Sequence, residues 1–215
     1  MCFDIITSLT TFIINITTSI ALYTIADKHK DVFISKQLKI ISIFFIFVGF
    51  MQIWDAIFWT YDANTKVNIY STKLAMIWNH LQPIVLAILI YLFIGKLTIP
   101  SMIILFIYLV MIVYYSVNGW KTLKGTEVTN KTCGSLYWQW NYMKGYKIVY
   151  TIFLLCLLLL VQQQFTGWIR MLTMFIISTT FFFSFYKYRK MASEGRFWCY
   201  YAAFCPIFFL IGARF

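Results

Sequence analysis

Charge is scarce in this sequence. Only 12% of its 215 residues are Asp, Glu, Lys or Arg, whereas 61% are hydrophobic and 21% aromatic. A soluble domain of this length cannot hide that much apolar surface, because the fraction a chain of this size buries on folding is limited. Histidine is scarcer still, at two, and acidic residues number seven. No Cys-x-x-Cys pair or His-rich tract provides a metal-ligand spacing. The glycine-rich phosphate loop and the serine elbow are absent too, which removes two common enzyme signatures. The last apolar segment, "WCYYAAFCPIFFLIG", contains no lysine and hence no Schiff-base site for retinal. No internal repeat and no soluble module is visible.

What the chain has instead is long apolar runs of roughly 18 residues or more, the signature of membrane-spanning helices. Seven are expected, at 3–25, 38–60, 74–95, 99–117, 146–164, 166–186 and 197–213, each near the roughly 20 residues that cross a bilayer core. The expected fold is therefore all-α, a polytopic seven-transmembrane helix bundle forming a single membrane domain over 1–215. The first run lacks a basic leader and a small-residue cleavage site, so it reads as a retained span. Only "QQQFTGW" separates the fifth and sixth runs, and Lys96 with Pro100 marks a tight turn before the fourth. The one sizeable loop, 118–145, turns from polar to aromatic. Its Tyr137, Trp138, Trp140 and Tyr142 suit an interfacial belt or a cap on the bundle.

The net charge of +11 comes from basic residues placed mostly between the apolar runs. There they anchor loops at the membrane surface or meet anionic headgroups, and no basic soluble module exists to bind nucleic acid. Eleven of the 18 Lys and Arg fall on the side of the N-terminus, including Lys187, Arg189 and Lys190, and seven on the other. The positive-inside rule then makes the N-terminus cytoplasmic. The sequon Asn130-Lys131-Thr132, beside Cys133, pulls the other way. The five cysteines form no disulfide framework, and Cys156 in "FLLCLLLL" reads as a small packed hydrophobe.

Two polar clusters interrupt the apolar runs. "MQIWDAIFW" places Gln52, Asp55 and Trp59 at i, i+3 and i+7, on one helix face. An ionisable group at that depth costs at least about 2.5–3.5 kcal/mol unless it faces protein, water or a partner. The next run, "KLAMIWNHLQPIVL", supplies Asn79, His80, Gln82 and Pro83 in five residues. At about 1.5 Å per residue, Asp55 and His80 both lie roughly 8–10 Å below the same membrane surface, so they can meet. Pro83 frees a carbonyl near Asn79. Trp198 and Cys199 open the last span at that level, and the N-terminal Cys2 and Asp4 lie there too.

At these residues a resemblance enters. "MCF", "TSLTTFI", "FVGFMQIWDAIFW", "NHLQPIVLAILI", the loop pattern Cys133-x-x-x-x-Trp138-x-Trp140 and "WCYYAAFCP" resemble an uncharacterised multi-pass family of giant DNA viruses, with shorter bacterial and fungal relatives beginning Met-Cys-Phe-Ser. The likeness runs over most of the chain and is most specific in the first 95 residues. Asp4 stands where Ser is expected and Tyr200 where Trp is usual. The resemblance implies a membrane protein of a viral or host endomembrane and carries no established activity.

Three functions follow as expectations. The first is a bundle that binds or translocates a small ligand, proton or cation at Asp55 and His80, oriented by Gln52, Trp59, Asn79, Gln82, Trp198 and Cys199. The second is a membrane-embedded metallohydrolase. Seven-span alkaline ceramidases and adiponectin receptors use a membrane Asp with histidine-held zinc, and Asp55 with His80 resembles half of that. Only Cys199 or Cys2 could complete such a site, because His29 lies in a loop on the opposite side. The third is a structural role in a virion or host membrane, with the polar groups acting as interhelical glue. Binding is favoured over catalysis. No cofactor is specified, and the expected partners are the bilayer, a small molecule, ion or lipid, and a second copy of the chain.

Overall fold

The computed structural model describes residues 4–128, 136–188 and 194–213. Among the described residues ten α-helices order as α1 (Ile5–Asp27), α2 (Val32–Gly49), α3 (Met51–Thr60), α4 (Lys66–His80), α5 (Gln82–Ile94), α6 (Ile99–Thr122), α7 (Tyr146–Gln164), α8 (Gly167–Tyr188), α9 (Glu194–Ala202) and α10 (Cys205–Gly212). A two-stranded hairpin, β1 (Glu127–Val128) with β2 (Leu136–Tyr137), and a 3₁₀ turn at Gln139–Tyr142 lie between α6 and α7.

Short polar residues start the apolar helices. Asp4 accepts from the Thr7 amide at 2.7 Å, Asp31 from Phe33 and Ile34 at 2.8 and 3.0 Å, and Thr65 and Thr98 cap α4 and α6 likewise. Each satisfies amide donors that helix geometry leaves without a partner. Gly95, at φ +89°, closes α5 in the left-handed region that a Cβ disfavours.

Five helices among the described residues are long and apolar enough to cross a membrane: Ile5–Asp27, Val32–Thr60 (α2 running on into α3), Ile99–Thr122, Tyr146–Gln164 and Gly167–Ser184. The pair α4 and α5 makes a sixth if counted as one span, bent by 48°. The seventh expected span is shorter and broken. Its apolar stretch, Trp198–Gly212, stays below the length of the others and is interrupted between Ala202 and Cys205. Both breaks have the same chemistry. Pro83 and Pro206 follow them closely, each removing an amide donor and crowding the carbonyl four residues back. Expected span boundaries shift elsewhere: the second helix begins at Val32 rather than 38, the third at Lys66 rather than 74, and α6 runs to Thr122 rather than 117.

The segments run up and down. At one end Gln37 of α2 donates to Thr166 of the α7–α8 turn at 3.1 Å, and Thr98 before α6 donates to Gln163. At the other end Asn68 of α4 reaches the strand leading to β1. The α2–α3 span is the most enclosed of the long helices and α6 the most exposed. Polarity is inverted relative to a soluble bundle. On α1 the outer face carries Ile6, Ile13 and Ile20, while the buried stripe is Ser8, Thr11, Asn15, Ser19, Leu22 and Ala26. Small side chains let backbones approach where lipid offers no hydrophobic drive to bring helices together. Asn15 donates to the Ala203 carbonyl at the α9–α10 break (3.0 Å), and Ser42 donates to the Ser19 carbonyl (2.6 Å).

The described residues 123–128 and 136–145 form a cap, and its tryptophans do not form an interfacial belt. Trp138 and Trp140 are fully buried with rings 4.7 Å apart; only Tyr142 is exposed, stacked on Tyr137. Asn68 fastens this cap. Its amide donates to the carbonyls of Tyr61 and Thr126, and its oxygen accepts from the Thr126 amide at 2.7 Å.

Candidate functional site

The bend at Leu81 positions the site. Leaving α4 at its last turn, the chain presents Asn79, His80 and Gln82 in succession, all fully buried. Asn79 is the hub. Its Nδ2 donates to the Tyr150 hydroxyl at 3.1 Å, and its Oδ1 accepts from Gln82 Nε2 at 3.4 Å and from the Cys199 thiol at 3.6 Å. Gln82 Nε2 also lies 3.8 Å from Cys199 Sγ. Tyr150 in turn donates to Asn141 of the cap at 2.8 Å. Four elements are thereby knotted together: the α4–α5 bend, α7, α9 and the cap.

His80 Nδ1 lies 2.7 Å from the Met76 carbonyl of its own helix. A carbonyl only accepts, so in the neutral ring Nδ1 carries the proton and Nε2 presents a bare lone pair. That Nε2 is buried and has no hydrogen-bond partner among the described residues. The ring stands 5.4 Å, centroid to centroid, from both Tyr115 and Tyr150. The His80 carbonyl, exposed by the helix break, accepts from the Tyr108 hydroxyl at 2.7 Å.

Asp55 and Gln52 are buried on α3, and Asp55 is near enough for its charge to act on the Cys199 thiol. The expected direct meeting of Asp55 with His80 does not occur: no ion pair or hydrogen bond joins them among the described residues. The reason is helical. Adjacent residues point about 100° apart, so with Asn79 turned to α9 the imidazole is carried round toward the tyrosines of α6 and α7. The two groups belong to one neighbourhood, linked through Cys199, Asn79 and Tyr150 rather than face to face.

Trp59, half-buried, lines a polar cleft of about 700 Å³ with Phe58, Thr60, Asp62, Asn64 and Glu127. Its floor is one helical turn from Asp55, and two of the seven acidic residues stand at its rim. Trp198 is buried edge-on against Phe153 at 5.3 Å. Cys2, Cys133 and the Asn130 sequon lie outside the described residues. Among those described, no three His, Cys, Asp or Glu side chains assemble as a metal-ligand set. Asp55, His80 and Cys199 therefore do not form the centre that the metallohydrolase expectation requires. His29 sits at the opposite end, in the α1–α2 turn beside Lys28 and Lys30.

Four contributors escaped sequence reasoning: Tyr108, Tyr115, Tyr150 and Asn141. Tyrosine in an apolar run passes for interfacial decoration. A usable signal existed, since Tyr108 and Tyr115 are seven residues apart on one apolar helix and so share a face. Both are buried while Phe106, Val110 and Tyr114 are exposed.

Compared with family models, with curated proteins and with solved structures, the chain gives no match. The coarse class rests on the fold itself: an all-helical protein whose apolar helices suit an integral membrane protein, with Asp55 and His80 buried among them.

Proposed function

We propose that the chain crosses the bilayer seven times, with its N-terminus cytoplasmic, and binds or translocates a small guest (a proton, a cation or a small polar ligand) at the cluster around Asp55 and His80. The observation that carries this reading is the bare Nε2 of His80. A buried imidazole fixed through Nδ1 on a backbone carbonyl has its other nitrogen ready to accept a proton or a donor. Ionisable groups at this depth mark substrate or proton paths more often than they serve packing. The break at Leu81 supports it as well, because discontinuous membrane helices place polar backbone and side chains at guest sites. The cleft beside Trp59, with Asp62 and Glu127 at its rim, is the entrance this reading assigns. The seventh crossing is α9 with α10, and the eleven-to-seven basic bias supports the orientation. The resemblance to giant-virus membrane proteins supports a viral or host endomembrane as its place.

Reconstituted liposomes with an interior pH-sensitive dye test the proposal. Flux is expected from the natural protein, falling toward the protein-free level in Asp55→Asn and His80→Ala. Equal flux in all three removes the idea. If Asp55→Leu combined with His80→Leu then still assembles fully, the cluster only holds helices.

A further inference from the structure

The buried polar atoms around the site are unevenly matched. Trp138, Trp140 and Trp198 are 0%, 0% and 4% exposed, and none of their indole N–H groups has a hydrogen-bond partner among the described residues. Trp78 shows the satisfied alternative, donating to the Phe47 carbonyl at 3.0 Å. An indole nitrogen can only donate, and unlike an amide it cannot be turned round to present an oxygen. Buried donors without acceptors are rare in native structures and call for an explanation.

The three indoles share one neighbourhood. Trp198 adjoins Cys199, whose thiol donates to Asn79. Trp140 adjoins Asn141, which accepts from Tyr150, and Tyr115 donates to the Trp140 carbonyl. Trp138 packs on Trp140. Gln52 Nε2, as placed, is a further buried donor with no partner among the described residues. Aromatic rings surround them: Phe153 lies against both Tyr150 and Trp198, and Phe181 against Trp198.

Resting on the reading of this cluster as a guest site, we infer that the guest is a small molecule with oxygen acceptors (a carboxylate or an ester carbonyl) on an apolar body, and is not a metal cation. A carboxylate or ester carbonyl accepts from two or more indoles at once, whereas a bare cation would meet their hydrogens. The apolar body suits the aromatic rings packed around the indoles, as in ligand sites where a few placed polar groups fix orientation. His80 Nε2 then takes or returns the proton of a carboxylic acid, which moves no net atoms other than that proton.

The test uses the full chain in lipid nanodiscs and three carbon-13-labelled probes of equal length: decanoate, methyl decanoate and decylamine. Saturable binding above empty nanodiscs is read by NMR. Decanoate or methyl decanoate is expected to bind and decylamine to fail. A preference for decanoate identifies free fatty acid as the source, and one for the ester identifies esterified acyl chains. Trp140→Phe and Trp198→Phe keep the ring and delete the donor, and each should weaken binding about three- to tenfold. Trp168→Phe should change nothing, since that ring packs on Phe209 and Gly212 in α10. Decylamine binding as tightly as decanoate, or indole replacements without effect, overturns the inference. His80-dependent proton flux that persists without acceptor binding would overturn it too and leave the proton reading standing. Acceptor binding with flux indifferent to Asp55 and His80 would remove translocation instead.

Discussion

Gly49→Ala is the sharpest test of how α1 seats against the bundle. In an exposed helix this change would stabilise by about 0.5–1 kcal/mol, because alanine loses less backbone entropy than glycine. Here a Cβ on residue 49 would stand 2.2 Å from Asn15 Oδ1 and 2.7 Å from its Cγ, inside any tolerable contact. The Asn15 amide is not free to swing aside, since it is fully buried and donates to the Ala203 carbonyl at 3.0 Å. Accommodating the methyl group therefore breaks that bond, a loss of about 0.5–1.5 kcal/mol. Overpacking adds about 1–3 kcal/mol. Less the propensity gain, Gly49→Ala should destabilise by about 0.5–4 kcal/mol. Asn15→Ala alone should cost about 1 kcal/mol, and it should abolish the penalty at residue 49 when the two are combined, a coupling a double-mutant cycle reads directly. Equilibrium unfolding in mixed micelles supplies the free energies. A neutral or stabilising Gly49→Ala, or additive behaviour of the pair, would refute the packing derived for α1, α2 and the α9–α10 break.

Gly125→Ala should be worse tolerated than Gly119→Ala, because the new Cβ meets the Ala63 carbonyl at 1.8 Å in one case and the flexible end of Met76 in the other. Amide exchange across Leu136–Tyr142 should rise in the first and stay unchanged in the second. Asn68→Ala removes the two hydrogen bonds that hold Thr126 of the cap and a third to the Tyr61 carbonyl, and should cost about 1–3 kcal/mol with the same exchange signature, as buried partners are left unpaired. Tyr108→Phe deletes the donor to the His80 carbonyl. It should cost about 0.6–1.5 kcal/mol in unfolding measurements and reduce flux without changing assembly. The Asp4 carboxyl is held below its ordinary range chiefly by accepting from the Thr7 amide. A lowered folded value contributes stability above the unfolded value near 3.8 and loses it as pH falls further. The Thr7 amide should therefore exchange faster below that pH, whereas Asp4→Asn should show no such step.

Much of the bundle was legible because membrane helices announce themselves by length and apolarity. Tyr146–Gln164 falls where composition placed it, and the polar groups Gln52, Asp55, Asn79, His80 and Gln82 are all buried, as lipid exclusion requires. The early start of α4 at Lys66 was not legible, since its first two turns, KVNIYST, mix polar with apolar residues and make no continuous apolar run. Nor was the cap's depth. "SLYWQW" has the composition of an interfacial belt, and only the Asn68 clamp and the Tyr115 bond show that Trp138 and Trp140 are driven inside.

The sequence by itself determined that the chain has apolar helices suited to a bilayer and which polar residues must turn inward, because both follow from the one-dimensional cost of moving groups out of water. Which inward groups meet was decided only by tertiary structure. The sequence places Asp55 and His80 at matching depth, yet rotation about α4 and the bend before Pro83 send Asn79 toward Cys199 and the imidazole toward Tyr115 and Tyr150. Depth is additive along a chain. Azimuth depends on every helix packed around it.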